Sequence, residues 1–275
     1  MDAAAPNKVS NKVKLKSKAS STFDVDVARW ALAPVVGVVL LAAWIIAVEL
    51  ELYPAFILPH PVDVIERLMD LHAQGRLMQH IVTTVKEAVI GLVVSIVLAL
   101  PLGYVVARNR WASALLMPYL VAIRAVPVVA IAAIVVIWLG SGINSKVFIT
   151  AFITWFPLME ATVIGIQGVD RDLRDLMRAH QASDWQIFEK LELPAAMPNL
   201  MSGLKISATL AVVGAAVGEL IASNQGLAFL ILRGRGTSDA PMVFGAVLLL
   251  TMISLTFYGL VVLLEYMLLA WRRAH

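Results

Sequence analysis

Long stretches without charged side chains constrain the fold of this 275-residue sequence more than any other feature. A helix needs about 20 predominantly apolar residues to cross the hydrocarbon core of a membrane. With 60% hydrophobic residues and a mean hydropathy of +0.83, the chain has more apolar surface than a soluble core of its size could bury. The sequence therefore predicts an all-α membrane protein with six transmembrane helices. The predicted spans lie near residues 30–50, 88–107, 115–139, 147–166, 204–222 and 242–269.

The distribution of basic residues predicts the orientation, because cytoplasmic loops carry an excess of Lys and Arg. With both termini in the cytoplasm, 15 of the 22 Lys and Arg residues lie on the inner side and six on the outer side. Residues 1–29 are then a basic cytoplasmic tail, which we expect to be disordered and close to anionic lipid. Residues 271–275 form a second, short cytoplasmic tail.

Residues 51–81 are predicted to form an outer loop that contains a short amphipathic helix. Pro59 and Pro61 prevent a helix from crossing them, and Pro61 suits the first turn of a new helix. Apolar residues then recur about every three positions from Val62 to Leu71, with charged residues between them. This helix could serve packing only, or it could meet an external partner.

The segment 168–198 is the longest predicted cytoplasmic segment between spans. We expect two short helices joined near Gln181, with Ser183 as the N-cap of the second. Pro194 and Pro198 are expected to end that helix before the next span begins.

Two aromatic side chains of this segment, Trp185 and Phe188, have the spacing of neighbours on one helix face. Large aromatic residues surrounded by polar ones are typical of binding surfaces. The aromatic pair could instead fold back onto the ends of the spans. The polar surroundings favour contact with a partner protein.

The same segment resembles the cytoplasmic motif of transmembrane permease subunits of binding-protein-dependent ATP-binding-cassette (ABC) importers. That motif reads E-A-A, three residues, glycine, nine residues and I-x-L-P. Here it aligns from Asp175 to Pro194, with Gln181 at the position of the glycine. The segments LPHP, RAVPVVAI, WFPLMEATVIG and GELIASNQGLAFLI extend the resemblance over about residues 54–270. They are similar to the branch that imports nitrate, taurine, alkanesulfonates, riboflavin and the thiamine pyrimidine.

The resemblance implies the type I ABC importer architecture, with residues 82–270 as the transmembrane domain and 168–198 as its coupling loop. The implied partners are cytoplasmic ATPase subunits, an extracellular or periplasmic solute-binding protein, and a second permease subunit in a homodimer. The implied location is the plasma or inner membrane of a prokaryote. The residues that it assigns to ATPase coupling are Ala179, Gln181, Ala182, Ser183, Asp184, Trp185 and Phe188.

The chain itself lacks a G-x4-G-K-[ST] phosphate-binding sequence, so an ATP-driven transporter would need its ATPase on another chain. No catalytic residue, metal site or cofactor is predicted. The sequence contains no cysteine, and its five histidines do not show a metal-binding spacing. Basic residues are too few in any one loop to indicate nucleic-acid binding.

Charged residues inside spans are costly and are therefore candidates for function. We expect Arg124 to pair with Glu160 or Glu219, which would either tie helices together or let Arg124 attract an anionic solute in the pore. The structural role is favoured, because breaking a buried ion pair costs about 3–5 kcal/mol. Gly214 and Gly218 form a G-x3-G face that predicts close helix packing, within or between subunits.

The sequence favours the permease subunit of an ATP-driven importer. The expected solute is a vitamin or precursor such as riboflavin or the thiamine pyrimidine, or an anion of the sulfonate, taurine or nitrate type. The alternative is an ion-coupled secondary transporter or channel, which would show more intramembrane charge or inverted repeats. A membrane-embedded enzyme would need clustered His, Asp or Glu at one membrane face.

Overall fold

The computed structural model describes residues 22–269. Over this range the chain forms α-helices and no β-strand, so the predicted all-α class is confirmed. The helices are α1 (Thr22–Glu49), α2 (Pro61–Ala73), α3 (Arg76–Arg108), α4 (Arg110–Arg124), α5 (Val128–Leu139), α6 (Ile143–Gln167), α7 (Arg171–Ala179), α8 (Asp184–Ile187), α9 (Leu193–Ala222), α10 (Leu227–Gly236) and α11 (Ala240–Leu268).

The chain divides into two units, residues 1–53 and residues 54–275. Helix α1 belongs to the first unit and covers the first predicted span apart from its last residue. Most of the predicted tail 1–29 and all of the tail 271–275 lie outside the described residues. Helices α2 to α11 form the second unit.

Four helices of the described residues are long and apolar enough to cross a membrane. They are Arg76–Arg108, Ile143–Gln167, the continuous helix Asp184–Ala222 and Ala240–Leu268. Each coincides with one of the predicted spans. Helices α3 and α6 begin before the charge-free stretches, so Lys86, Glu87 and Lys146 lie inside helices rather than in loops.

The prediction of one continuous helix over 115–139 is wrong. The chain forms α4 and α5 instead, with a break at residues 125–127. Pro127 explains the break, because proline lacks a backbone N–H and disfavours helical geometry in the residue before it. The twelve residues of α5 extend about 18 Å, which is too short to cross a membrane alone.

The expectation that Pro194 and Pro198 end a helix is also wrong. The helix that begins at Asp184 continues through both prolines to Ala222, with a π-helical turn at Phe188–Glu192. In this wider turn the Leu193 N–H donates to the Phe188 carbonyl. Such a turn redirects the carbonyl groups just before a proline, so the helix can continue past Pro194.

Helix α2 confirms the predicted helix within residues 51–81, but only part of its predicted apolar face is buried. Val64 and Leu71 are buried, whereas Val62 and Ile65 are exposed. The buried face contacts α11 and α3. The apolar residues of α2 lie on several sides of the helix, so their periodicity alone does not identify the side that packs. The contacts with α11 determine which side is buried.

Helix α6 lies against both α3 and α9, and the predicted glycine pair occupies the α6–α9 contact. A Cβ atom on Gly214 would come 2.7 Å from Cα of Thr150, and one on Gly218 would come 2.9 Å from Cγ of Lys146. These glycines therefore allow close packing between helices of the same chain.

Candidate functional site

The segment 168–198 turns sharply between α7 and α8. Asp170 caps α7, and Ser183 forms a capping box with Gln186 at the start of α8. Gln181 lies between the two helices with φ at +56°, a left-handed conformation that favours glycine. The ABC-importer motif has glycine at this position, so the geometry gives a physical reason for that preference.

The two aromatic residues of the segment differ in their surroundings. Trp185 is 67% exposed, whereas Phe188 is half-buried and packs edge-on against Tyr104 of α3 with the ring centres 5.1 Å apart. Ile187 between them is buried. The segment thus folds back onto the chain through Phe188 and Ile187 and presents Trp185 outward. Leu173 and Leu176 of α7 are exposed as well.

The remaining predicted coupling residues lie along the same turn. Ala179, Gln181, Ser183 and Asp184 are exposed, and Ala182 is half-buried. The fold therefore places Trp185 within a short, mostly accessible surface. We call residues 179–188 the coupling surface.

A fully buried carboxylate holds this surface in place. Glu192 Oε1 accepts hydrogen bonds from Arg108 Nη1 at 3.0 Å and from Arg174 Nε at 2.9 Å. Its second oxygen, Oε2, accepts from the Tyr104 hydroxyl at 3.1 Å. These residues form the Glu192 cluster, which connects the end of α3, α7 and the π-turn.

Arg108 also reaches the coupling surface directly. Its Nη2 donates to Asp184 Oδ1 at 3.1 Å, so one guanidinium group contacts both Glu192 and the first residue of α8. Sequence reasoning missed this cluster. The available signal was Glu192, an acidic residue between two leucines just before Pro194. A charged residue at such a position is ordinarily expected to be exposed to solvent.

A second group of buried polar residues lies at the other end of α3. Thr84 Oγ1 donates to Glu219 Oε1 at 2.6 Å, and the Ala228 N–H donates to Glu219 Oε2 at 2.7 Å. Glu87 and Lys146 are also buried, with Glu87 Oε1 4.0 Å from Lys146 Nζ. His80, Thr84, Glu87, Lys146 and Glu219 are called the Glu219 cluster below.

The turn between α9 and α10 is built around Glu219. Gly226 has φ at +109°, and a Cβ atom there would overlap the Glu219 carboxyl group. The Gly226 N–H donates to His80 Nδ1 at 3.0 Å, and the Leu227 N–H donates to Thr84 Oγ1 at 2.9 Å. Glu219 and its neighbours therefore satisfy the backbone N–H groups at the start of α10.

Thr84 and the Ala228 N–H donate to the two carboxylate oxygens of Glu219, and the predicted pairing of Glu219 with Arg124 stays a prediction. The side chain of Arg124 lies outside the described residues. Glu160 is exposed on α6, so it is not a buried charge. The pairing of Glu160 with Arg124 stays a prediction.

Lys146 and Glu87 were missed because the sequence placed Lys146 in an outer loop and Glu87 just before a span. A usable signal was the helical spacing of His80, Thr84 and Glu87, which places them on one side of α3. A polar stripe on an otherwise apolar helix indicates that the stripe is buried inside the protein.

Residues 96–270 match the family model described as the inner membrane component of binding-protein-dependent transport systems. The chain belongs to this family. The match includes the coupling surface, the Glu192 cluster and most of the membrane helices. As a member of this family, the protein is a multi-pass protein of the prokaryotic plasma membrane.

Several relatives of this permease share most of their length with it. It is 40% identical over 238 residues to the riboflavin transport system permease protein RibX of Chloroflexus aurantiacus, covering 86% of this chain and 89% of RibX. It is 33% identical over 234 residues to the formylaminopyrimidine transport permease protein ThiX of Halalkalibacterium halodurans, covering 85% and 93%. It is 29% identical over 246 residues to the putative aliphatic sulfonates transport permease protein SsuC of Bacillus subtilis, covering 90% and 89%. These names confirm the branch that the sequence motifs indicated.

Proposed function

We propose that this permease forms the translocation path of an ATP-driven importer for a small solute. Its chain crosses the membrane six times, with both termini in the cytoplasm. Helices α4 and α5 together make one crossing, since neither the fifteen residues of α4 nor the twelve of α5 match the membrane thickness. The excess of Lys and Arg on the assigned inner side supports this orientation.

The coupling surface binds a cytoplasmic ATPase subunit. The observation that carries this proposal is Trp185, a large aromatic side chain that is 67% exposed on a turn stabilised by ion pairs to the buried Glu192. An exposed aromatic on a rigid support is the usual anchor of a protein interface. The coupling residues are Ala179, Gln181, Ala182, Ser183, Asp184, Trp185 and Phe188.

ATP binding closes the ATPase dimer and displaces the coupling surface. Arg108 transmits this displacement to α3, because the same guanidinium group contacts Asp184 and Glu192. The continuous helix from Asp184 to Ala222 transmits it to the membrane interior without a loop between them. A displacement at one end of these helices thereby opens one side of the path and closes the other.

The solute belongs to one of the classes named for its relatives. We propose a heterocyclic vitamin or precursor, such as riboflavin or the thiamine pyrimidine, with a sulfonate, taurine or nitrate-type anion as the second class. An external solute-binding protein delivers it, and a second copy of the permease completes the path. The apolar face of α11, which is largely exposed, supports contact with lipid or with that second copy.

Co-purification with the ATPase tests the proposal. Trp185→Ala and Phe188→Ala together should remove the ATPase from the purified permease. Trp138→Ala is the matched control, because Trp138 is also a highly exposed tryptophan but lies on α5. Retention of the ATPase by the double variant, or solute transport by the permease alone in liposomes without ATP, would contradict the importer assignment.

A further inference from the structure

A polar cavity lies beside the Glu219 cluster. Its volume is about 380 Å³, within the range of small-molecule sites. Eight of the nine residues around it are polar or charged. The wall combines α3, the start of α6 and the turn after α9, so the cavity lies where the main membrane helices converge.

Glu87 contributes the cavity's buried acceptor. The residue is 2% exposed, and its Oε1 atom lies 4.0 Å from Lys146 Nζ. Its Oε2 atom is buried and receives no hydrogen bond from an N–H or hydroxyl donor of the described residues, and the carboxyl group of Glu219 is its neighbour. A buried carboxylate oxygen without a donor is costly, so a donor supplied by a ligand would bind strongly there.

The charged groups next to Glu87 already form hydrogen bonds with other parts of the chain. Lys146 Nζ donates to the carbonyl groups of Ser141 at 2.7 Å and Gly142 at 3.4 Å. Glu219 lies beside Glu87, and both of its oxygens accept other hydrogen bonds. Glu87 thus has one carboxyl group and one buried lysine as neighbours, and a ligand that brings N–H donors or positive charge would stabilise its charged form.

A lysine side chain lies on the exposed side of the cavity. Lys86 precedes Glu87 on α3, lines the same cavity and is exposed. The exposed side chains of Asn224 and Gln225 line the cavity as well. A bound molecule would therefore find an acceptor at the bottom and a cation with amide groups at the rim.

We infer that this cavity binds the polar end of the transported solute, and that it recognises an N–H donor next to a carbonyl or anionic group. Glu87 accepts the N–H, and Lys86 contacts the carbonyl or anion. Cyclic imides and lactams have this pattern, and so do aminosulfonates. The inference rests on the proposed function and adds to it a solute contact at one end of the path.

The absence of cysteine from the chain allows a direct test. Asn224→Cys introduces a single thiol at the rim without removing a charged group, and a bulky maleimide then blocks the cavity after folding. His72→Cys is the matched control, because His72 is exposed on α2 and does not line the cavity. Uptake of radiolabelled riboflavin, a neutral imide, and taurine, an aminosulfonate, is measured in the assembled importer with its ATPase and binding protein.

Maleimide treatment of Asn224→Cys should lower uptake about tenfold or more, while treated His72→Cys keeps its rate. Binding-protein-stimulated ATP hydrolysis should persist in both. Normal uptake by treated Asn224→Cys would overturn the inference, and so would loss of stimulated hydrolysis, because the block would then lie in docking of the binding protein. ATP-dependent uptake of neither probe by the unmodified complex would overturn the imide and aminosulfonate specificity inferred for the cavity, while binding-protein-stimulated ATP hydrolysis would leave the importer assignment standing.

Glu87→Gln distinguishes the two classes of solute. The glutamine carbonyl still accepts an N–H from an imide but loses its attraction for an ammonium group. Taurine uptake should therefore fall about tenfold or more, whereas riboflavin uptake should fall only a few-fold. Unchanged uptake of whichever probe the complex transports would overturn the role of Glu87. Co-purification of the ATPase shows in parallel that the variant is folded and assembled.

Discussion

Half-buried Arg108 and fully buried Glu192 form an ion pair, with Nη1 of the arginine 3.0 Å from Oε1 of the glutamate. The two residues are 84 positions apart, and the pair joins the end of α3 to the base of the coupling surface. Arg174 contributes a second guanidinium to the same oxygen. The coupling surface is therefore attached to the membrane helices by charged contacts as well as by the continuous backbone.

Removal of the Glu192 carboxylate should destabilise this attachment. Glu192→Ala leaves Arg108 and Arg174 without their buried partner, which costs at most about 3–5 kcal/mol because both arginines are partly exposed to solvent. We expect a lower melting temperature of the purified permease and loss of ATPase co-purification. Glu189→Ala is the control, because Glu189 lies in the same π-turn but is exposed. Equal stability of the two variants would contradict a structural role for the pair.

Gln181→Gly should stabilise the turn between α7 and α8. Gln181 adopts φ of +56°, and relief of its left-handed strain outweighs the extra backbone entropy of glycine by about 0.5–1 kcal/mol. Gln181→Val should have the opposite effect, because β-branched residues fit this conformation poorly. Amide hydrogen exchange across the turn measures both changes. Faster exchange in the glycine variant than in the parent would contradict the left-handed geometry.

Gly226→Ala should disrupt the turn between α9 and α10. The new methyl group would overlap the Glu219 carboxyl group, and φ of +109° is strained for alanine. The combined cost should be at least about 2 kcal/mol. Gly236→Ala is the control, because a Cβ atom there meets nothing within 4 Å. Thermal unfolding of the two variants in detergent compares them, and equal melting temperatures would contradict the close contact with Glu219.

Much of this architecture could be predicted from the sequence. Charge-free stretches located the four long spans, and the Ser183 cap with the motif spacing located the turn at Gln181. The errors at 115–139 and at Pro194 have a common origin. Hydropathy does not reveal that a proline interrupts the helix within an apolar stretch, as at 115–139. Conversely, the expectation that proline ends a helix does not anticipate a π-helical turn that accommodates the proline, as at Pro194.

The buried clusters were harder to predict for a different reason. Glu87, Lys146 and Glu192 are charged, and a charge near the end of an apolar stretch is ordinarily assigned to solvent. Their burial depends on partners far away in the sequence, such as Arg108 for Glu192. Contacts of this kind arise from the packing of α3 against α6 and α9, which local sequence patterns do not encode.

Single cysteines should determine the orientation of the chain, because the natural sequence contains none. Gln74 follows α2 and His180 follows α7, and both side chains are exposed. If the coupling surface is cytoplasmic, a membrane-impermeant thiol reagent added to intact cells or spheroplasts should label Gln74→Cys and not His180→Cys. After the membrane is permeabilised, both variants should react, which controls for the reactivity of each thiol. Labelling of His180→Cys in intact cells would place the coupling surface outside, where no ATP-driven subunit could reach it, and would contradict the importer mechanism.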